Sequence, residues 1–270
     1  MSHSAPPRSY LFVPGNRPER FDKALASGAD AVIVDLEDAV PPEQKDRARA
    51  TVAAWLASAT RPVVVRINAA ETPWFRDDVA LVRHERVAAV MLAKAERADD
   101  LAAVGGHTPL IPLVESAAGF GALASIAAAQ NVQRLAFGAI DFQLDLDMRA
   151  GYDELIHFRS QLVFASKLAG IGAPIDSPST AIDDLGEVER DAQAARRLGF
   201  GAKLCIHPKQ LDAVNRSFSP SAAEIEWARR VIAVAEQSAG AAVALDGKMI
   251  DKPVILRAQS VLRAVREPQE

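Results

Sequence analysis

Three carboxylates stand close together at the end of a run of β-branched residues, and that run predicts a buried strand. They are Asp35, Glu37 and Asp38. Burying one unpaired carboxylate is costly, and crowding three raises the cost because their charges repel one another. The cations nearest along the chain lie on the predicted next helix and are Lys45, Arg47 and Arg49. We therefore expect a bound cation, or cationic side chains from elsewhere in the fold, to compensate the acids. Capping of the next helix would account for Asp38 alone.

The elements that must position these acids alternate along the chain. Eight short runs rich in β-branched residues predict strands, and stretches rich in Ala and Arg predict helices between them. The strands are predicted at 10–13, 31–36, 62–68, 88–93, 110–114, 134–139, 173–176 and 202–206. The predicted helices include 17–26, 43–57, 116–129, 153–168 and 184–198. Apolar strands that alternate with amphipathic helices indicate an α/β protein with a parallel sheet covered by helices.

Eight such units favour a (β/α)8 barrel, the TIM barrel, over an open doubly wound sheet. The open sheet remains the alternative, because periodicity alone cannot close a barrel. Such a sheet commonly carries a glycine-rich phosphate-binding turn, and the sequence contains neither GxGxxG nor GxxxxGK[ST]. We predict that the barrel spans 1–219.

The pattern changes after Ser219 and Pro220. Residues 221–239 predict a helix, 240–247 a loop of small residues, and 254–265 a second helix. Residues 220–270 are therefore predicted to form a short C-terminal helical extension, too short for a core of its own.

Active sites of TIM barrels lie at the carboxyl ends of the strands. Polar and ionisable side chains stand at that end of most predicted strands, whereas random surface charge would be scattered over both ends. In strand order they are Glu37 and Asp38, Arg66 and Asn68, Lys94, Glu115, Asp141, Asp176, and His207. The distribution predicts an active site at this rim.

The inventory of side chains indicates the chemistry of that site. Carboxylates without a closely spaced pair of histidines favour a hard, oxygen-liking cation such as Mg2+ over zinc. Glu115 and Asp141, on neighbouring strands, could supply the one or two carboxylates that Mg2+ takes from a protein. Arg66 is predicted to clamp a substrate carboxylate or a developing enolate in bidentate fashion. A structural salt bridge to Glu37 is the alternative for Arg66.

Two further rim residues have open alternatives. Lys94 could form a Schiff base, which needs a lowered pKa, but an ion pair with Glu96 or a rim carboxylate is the favoured interpretation. His207 stands directly before Pro208, where it could either begin a helix or contact a ligand.

Composition excludes several classes of protein. The net charge of −4 gives no electrostatic footprint for nucleic acid. No apolar run reaches the roughly 20 residues of a membrane span, and the N-terminus lacks the features of a secretory signal. The single cysteine, Cys205, agrees with a reducing compartment and reads as a small core residue. We therefore expect a cytoplasmic protein.

Seven segments carry a resemblance to a known family. They are LFVPGNRPERF (11–21), VDLEDAV (34–40), VRIN (65–68), LVES (113–116), FGAIDF (137–142), CIHPKQ (205–210) and GKMIDKP (247–253). Their order along nearly the whole chain is similar to the citrate lyase β-subunit-like family. That family belongs with malyl-CoA and citramalyl-CoA lyases in the HpcH/HpaI aldolase superfamily.

The resemblance implies a Mg2+-dependent lyase that breaks or forms a carbon–carbon bond in a 3-hydroxyacyl-CoA. It implies that Glu115 and Asp141 bind the metal and that Arg66 binds substrate. It also implies that Glu37 and Asp38 hold metal-bound waters. It further implies that Asp251 is an acid/base delivered to the active site of an adjacent subunit in a homotrimer or hexamer. Three other residues match regions that line the CoA channel: Asn16, Arg17 and His207.

The chain departs from the family pattern at two positions. Ile140 stands before Asp141, where a second acid is common, and we expect weaker acidity around the ion. Ala93 stands before Lys94, where proline is common. Neither position is a matched catalytic residue.

The expected partners are a CoA thioester such as malyl-, citramalyl- or citryl-CoA and an α-keto acid. Two alternatives remain open at this point. One is a class II pyruvate aldolase that releases an aldehyde. The other is a β subunit that works only beside an acyl-carrier partner.

Overall fold

The computed structural model describes residues 6–237 and 243–265. It contains a closed barrel of eight parallel strands, in which each strand pairs with the next along the chain and the last pairs with the first. The strands are β1 (Ser9–Pro14), β2 (Ala31–Asp35), β3 (Val63–Ile67), β4 (Val87–Leu92), β5 (Leu110–Val114), β6 (Arg134–Phe137), β7 (Gly172–Asp176) and β8 (Ala202–Cys205). The predicted TIM barrel is confirmed, and the open sheet is excluded.

Helices follow the strands around the barrel. They are α1 (Phe21–Leu25), α2 (Lys45–Leu56), α3 (Phe75–Leu81), α4 (Ala98–Val104), α5 (Ala117–Gly121), α6 (Leu123–Ala127), α7 (Ala139–Asp145), α8 (Ile156–Leu168), α9 (Leu185–Leu198) and α10 (Leu211–Ser217). Short 3-10 turns precede three of them, at Pro18–Arg20, Pro42–Gln44 and Pro208–Gln210. In each of these turns proline is the first residue, where its missing N–H costs no hydrogen bond.

Several predicted boundaries were wrong, and the predicted helix 153–168 begins only at Ile156. The predicted strand 134–139 ends at Phe137, and Ala139 already begins α7. The predicted helix 116–129 is divided into α5 and α6 at Ala122. The predicted helix 17–26 is a 3-10 turn followed by the short α1. Helices α3, α4, α7 and α10 were not predicted, because helices of seven residues give only two turns of periodicity.

The core of the barrel is filled from alternate residues of its strands. It consists of Tyr10, Ile33, Val64, Ala89, Met91, Ile111, Leu113, Ala136, Ile175, Ala202 and Leu204. Successive side chains of a strand point to opposite faces, so one set of alternate residues fills the interior and the other set packs under the helices. Both faces are therefore apolar, as the near-continuous hydrophobic runs predicted.

A second compact unit begins at Arg216, and the first spans Pro7–Asn215. The second unit contains α11 (Ala222–Gln237), the strands β9 (Val243–Leu245) and β10 (Lys248–Ile250), and α12 (Lys252–Arg263). The predicted loop at 240–247 is wrong for 243–245, which pair antiparallel with 248–250; residues 240–242 and the predicted helix end at 238–239 lie outside the described residues. Asp246 and Gly247 form the turn of this hairpin with φ of 50° and 74°, as a type I′ turn requires.

The second unit has a small core of its own, contrary to our expectation. Ala228 and Val231 of α11, Ile250 of β10 and Ala258 of α12 are buried against one another. The hairpin was not predicted. It is a third element that packs with the two helices and helps to bury their apolar side chains. None of the described helices is both long enough and apolar enough to cross a membrane.

Candidate active site

A cavity of about 790 Å3 opens at the carboxyl ends of the barrel strands. Its floor follows from the alternation of the strands, because the residue two positions beyond each core residue points in the same direction. These residues form a layer directly above the apolar core. The members that line the cavity are Phe12, Asp35, Arg66, Glu115, Gly138, Ser177 and Ile206. Three charged side chains are thereby held on rigid strands and their ends rather than on mobile loops.

Asp35 and Arg66 form a buried, bidentate ion pair. The Nε and Nη2 atoms of Arg66 each donate to one oxygen of Asp35, and both distances are 2.7 Å. The two residues are adjacent in the register of β2 and β3, so the pairing follows from the sheet. Asp35 also accepts the backbone N–H groups of Glu37 and Ala39, at 2.9 and 3.1 Å. Asp35 therefore holds both the arginine and the turn after β2.

Two cations on other strands compensate the crowded acids. Nη1 of Arg66 lies 3.0 Å from Glu37 and 3.6 Å from Asp38, and Nζ of Lys94 donates to the other oxygen of Glu37 at 2.9 Å. Cationic side chains from elsewhere in the fold were one of the two expected solutions, and they are present. The alternative interpretation of Arg66, a salt bridge to Glu37, is thus realised. The Nε–Nη2 edge of the Arg66 guanidinium was expected to clamp a substrate group, and it binds Asp35 instead.

The pKa values of both cations are raised. Burial alone would lower the pKa of Arg66, but the charge and hydrogen bonds of Asp35, and then Glu37, outweigh it. Burial also lowers the pKa of Lys94, and its hydrogen bond to Glu37 with the charges around it overcomes that effect. Lys94 is therefore an ammonium ion paired with a rim carboxylate, as favoured, and Glu96 instead accepts the hydroxyl of Ser116 at 2.6 Å.

A buried lysine holds the backbone of the acidic turn. Nζ of Lys45 donates to the carbonyl oxygens of Leu36 and Glu37 at 2.8 and 2.7 Å, and to the side chain of Asn68 at 2.6 Å. All three acceptors are uncharged, and burial lowers the pKa of Lys45 in spite of the neighbouring acids. Lys45 and Asn68 are structural here. Asp38 caps no helix, since the 3-10 turn that follows begins at Pro42, and its N-cap residue is Pro41.

Glu115 is buried beside two backbone segments. Its Oε1 accepts the backbone N–H of Lys94 at 2.8 Å. Lys94 adopts a left-handed conformation with φ of 47°, which aims this N–H at the carboxylate. On the other side Glu115 lies against Gly138, where a Cβ atom would approach the Cβ of Glu115 to 2.6 Å. The carboxylate is therefore held between the ends of β4 and β6.

The electrostatic surroundings of Glu115 disfavour its ionisation. Burial is the largest cause, and the charges of Glu37 and Asp141 add to it, so that the pKa of Glu115 rises to about 8. The N–H of Lys94 and the charge of Arg66 only partly oppose this shift. A divalent cation in the cavity would relieve the repulsion, because it favours the charged form of nearby carboxylates.

Asp141 lies in the first turn of α7, is partly buried and lines the same cavity. Its charge is one of the causes that raise the pKa of Glu115, so the two carboxylates share one electrostatic environment. Among the described residues, no three His, Cys, Asp or Glu side chains cluster as a complete metal site. A pair of carboxylates beside an open cavity instead fits Mg2+, which commonly takes one or two carboxylates and completes its shell with water or substrate.

The structure separates the residues that were expected to line a CoA channel. His207 lines the cavity and also begins a 3-10 helix, with its Nδ1 accepting the N–H of Lys209 at 3.2 Å. The start of a helix at His207 is therefore confirmed, and contact with a ligand stays a prediction. Asn16 and Arg17 do not line the cavity: Asn16 donates to Gln44 at 2.7 Å, and Arg17 pairs with Glu19 at 2.7 Å.

Two cations that were not predicted as site residues line the cavity instead of Asn16 and Arg17. Arg20 and Lys23 are exposed and line the cavity together with Ala24. The i, i+3, i+4 spacing of the three residues puts them on one face of the helical segment, and this pattern was visible in the sequence. Arg17 lies nearby but belongs to the turn before the helix.

One expected rim residue, Asp176, takes another position, and the role of Asp251 in a neighbouring subunit stays a prediction. Asp176 is buried outside the cavity, where it accepts Nε of Arg159 and Nζ of Lys203, both at 2.9 Å. It is adjacent to the inward-facing Ile175 and so points to the opposite face of β7. Asp251 lies in the second unit, where its carboxylate accepts the N–H of Val254 at 3.2 Å and caps α12.

The fold is a closed parallel barrel, and its carboxyl end carries two carboxylates and an arginine. This combination is typical of TIM-barrel enzymes. Within that class, residues 8–208 match the family described as HpcH/HpaI aldolase/citrate lyase, and the chain belongs to this family. The resemblance found in the sequence is confirmed.

Relatives of similar length support the assignment. The chain is 34% identical to a citrate lyase subunit beta-like protein of Deinococcus radiodurans, over 96% of this chain and 98% of the relative. It is 35% identical to a (3S)-malyl-CoA thioesterase of Cereibacter sphaeroides, over 97% and 96%. The barrel and helices also resemble the crystal structure of CitE from Mycobacterium tuberculosis in complex with magnesium, acetoacetate and coenzyme A. That similarity has a TM-score of 0.86 and 35% identity, and covers 95% of this chain and 97% of CitE.

Proposed function

We propose that this chain is a Mg2+-dependent carbon–carbon lyase that cleaves or forms a small 3-hydroxyacyl-CoA thioester such as malyl-, citramalyl- or citryl-CoA. The products of cleavage are an acyl-CoA and an α-keto acid. One observation carries the proposal: Glu115, just beyond β5, and Asp141, in the first turn of α7, line one cavity beside Arg66. The similar CitE structure, which contains magnesium, acetoacetate and coenzyme A, supports the same choice of metal and ligands.

The acid half of the substrate would bind at the floor of the cavity. Glu115 and Asp141 would hold Mg2+, which supplies Lewis-acid stabilisation of negative charge on substrate oxygens. Arg66 lines the same floor and stays protonated, because Asp35 and Glu37 raise its pKa. We assign to it the stabilisation of the charge that develops on the thioester oxygen as the carbon–carbon bond breaks. We assign the metal-bound waters to Asp38, which lines the cavity. Glu37 was expected to share this role, but it is buried, is not among the residues that line the cavity, and its oxygens are held by Lys94 and Arg66.

The CoA half would extend toward the cations at the other side of the opening. Arg20 and Lys23 are exposed on one face of the first helical segment and suit the phosphate groups of CoA. The Nδ1 atom of His207 is an acceptor for Lys209, so the neutral ring carries its proton on Nε2 and can donate it to a ligand oxygen.

The proton of the 3-hydroxyl group needs an acid/base, and we assign this role to Asp251. The resemblance of GKMIDKP at 247–253 to the family supports the assignment, with Asp251 delivered by a neighbouring subunit of a homotrimer or hexamer. Asp251 is exposed at the start of α12, so its second carboxylate oxygen can serve another group while the first caps the helix.

The test is a stand-alone assay of the purified chain with malyl-CoA, citramalyl-CoA and citryl-CoA in the presence of Mg2+. We expect equal amounts of keto acid and acyl-CoA from one of them, loss of turnover with a chelator, and at least a 100-fold loss for Glu115→Gln and Asp141→Asn. Asp147→Asn is the matched control, since Asp147 is exposed just beyond α7 and its positive φ of 53° suits asparagine.

The other outcomes of this assay contradict the proposal in different ways. A carrier-dependent subunit would leave all three free CoA esters intact. A pyruvate aldolase would cleave hydroxy-keto acids to an aldehyde instead. Intact turnover in Glu115→Gln would refute the metal assignment.

A thioesterase is the second candidate, because one relative at 35% identity carries that name. Hydrolysis of malyl-CoA releases free CoA and malate, and the carbon–carbon bond stays whole. Titration of free thiol during the same assay separates the two reactions, since lyase cleavage releases no thiol.

A further inference from the structure

The helix that carries Asp141 cannot be capped by its own sequence. Helices normally begin with a side chain at the N-cap position that accepts one of the first free N–H groups. The N-cap of α7 is Gly138, which has no side chain, and Glu115 occupies the space where one would lie. A Ser, Thr or Asp at position 138 would collide with Glu115. The first N–H groups of α7 therefore need an acceptor from elsewhere in the fold.

Ser177 supplies that acceptor from the end of β7. Its Oγ accepts the N–H of Ala139, the first residue of α7, at 3.1 Å. Ser177 is 1% exposed, and it continues the inward-facing row of β7 into the layer above the core. Asp141 lies two residues beyond this hydrogen bond, within the same helical turn. The position of the Asp141 carboxylate thus depends on where Ser177 stands.

A buried charge cluster holds Ser177 in turn. Nζ of Lys203 donates to the carbonyl oxygen of Ser177 at 2.6 Å and to Asp176 at 2.9 Å. The second oxygen of Asp176 accepts Nε of Arg159 at 2.9 Å. Lys203 and Asp176 are at most 1% exposed. A lysine buried in a barrel wall is costly unless its charge is paired, and here Asp176 pairs it while a second hydrogen bond fixes the turn after β7.

We propose that Ser177 is a positioning residue for metal binding: its hydroxyl caps α7 in place of Gly138 and sets the position of the Asp141 carboxylate opposite Glu115. The inference rests on the proposed function, because it takes Asp141 as a ligand of Mg2+. Partners that orient ligand groups typically contribute tenfold or more to metal affinity. Ser177 would thus act on the metal without touching it.

The test measures the dissociation constant of Mg2+ for the purified full-length chain by calorimetry, without substrate. We expect Ser177→Ala to weaken Mg2+ binding roughly tenfold, and Ser177→Thr, which keeps the hydroxyl, to restore most of it. Ser179→Ala is the matched control. Ser179 is also buried, lies two residues further along the chain, and donates to Asp191 instead of contacting α7. It should leave the affinity within about twofold of the wild type, while the thermal midpoints of Ser177→Ala and Ser179→Ala fall by similar amounts.

Enzyme kinetics provide an independent readout. A purely structural serine would lower the amount of folded enzyme, whereas a positioning serine raises the Mg2+ concentration needed for half-maximal rate. The inference is overturned if Ser177→Ala binds Mg2+ as tightly as the wild type while Asp141→Asn binds it weakly. If Asp141→Asn and Glu115→Gln also bind Mg2+ normally, the metal assignment itself fails, and the role of Ser177 fails with it.

Discussion

Glu115 fills the space that a side chain on Gly138 would need. A Cβ atom at position 138 would lie 2.6 Å from the Cβ of Glu115, a separation that no rotation of the glutamate side chain can relieve. The backbone N–H of Gly138 donates to the carbonyl oxygen of Val114 at 3.0 Å, which keeps the two segments at this distance. Close contact between these strand ends brings Glu115 near the helix that carries Asp141.

We predict that Gly138→Ala displaces Glu115 and disables the site. The added methyl group must push the glutamate out of the layer above the core, and a shift of about 1 Å in a reacting group can cost roughly 100-fold in rate. Turnover and Mg2+ affinity should both fall. Gly121→Ala is the control, since a Cβ there meets nothing within 4 Å. Wild-type turnover in Gly138→Ala would show that the close packing has no catalytic consequence.

Asp35→Asn should destabilise the protein much more than loss of a surface ion pair. It leaves the guanidinium of Arg66 buried without its bidentate partner, and removal of one member of a buried pair costs on the order of 3–5 kcal/mol. Chemical denaturation measures this loss. Glu19→Gln, which breaks an exposed pair with Arg17, should lower the unfolding free energy far less. Equal losses in the two variants would contradict the structural role of Asp35.

The raised pKa of Glu115 predicts a pH-dependent stability of the metal-free protein. The carboxyl group titrates near 4.5 in the unfolded chain and at about 8 in the folded protein. Between these values the folded state holds a proton that the unfolded state has lost, so stability is greatest below pH 4.5 as far as this group is concerned. It falls as the pH rises to 8, with a slope of up to about 1.4 kcal/mol per pH unit.

Denaturation of wild type and Glu115→Gln between pH 5 and 8 tests this dependence. The glutamine cannot ionise, so the difference in unfolding free energy between the two proteins should grow with pH in favour of the variant. A saturating concentration of Mg2+ should reduce the slope in the wild type, because the cation stabilises the ionised carboxylate. Parallel curves for the two proteins in metal-free buffer would show that Glu115 does not titrate in this range.

Lys94 should not form a Schiff base with a keto acid. Its pKa is raised, so the amine stays protonated near neutral pH and is a poor nucleophile. Incubation with pyruvate or oxaloacetate and then borohydride should leave the mass of the chain unchanged. An exposed lysine such as Lys209, which pairs with the exposed Asp183, provides an internal comparison in the peptide map. Specific reduction onto Lys94 would refute the ion-pair assignment.

Much of the barrel could be predicted because its signal is local. Each strand is a short run of apolar residues, and the long α9 is capped by Asp184 before its first residue and by Gly199, with φ of 108°, after its last. The errors fell where local signals are weak. The helix α7 is short and has no cap in its own sequence, because Ser177 caps it from a distant strand. The predicted strand 134–139 therefore ran on into it.

The crowded acids at the site also show how far local sequence signals can predict structure. Their types and positions predicted that Asp35, Glu37 and Asp38 need compensating cations, which is a local consequence of charge. The choice between a metal ion and side chains depended on Arg66 and Lys94, and these lie 31 and 57 residues beyond the acids they bind. No spacing along the chain indicated that Arg66 would turn its bidentate edge to Asp35 rather than to a ligand.

Local patterns in the sequence predicted the alternating strands and helices and the end of the sheet that carries the ionisable groups, because apolar periodicity and strand ends are properties of neighbouring residues. The tertiary structure decided which of these groups meet. It paired Arg66 with Asp35, placed Asp176 on the outer face of β7, and brought Arg20 and Lys23 to the cavity. The physical reason is that hydrogen bonds and ion pairs act over about 3 Å, and only closure of the barrel brings side chains from distant strands within that range.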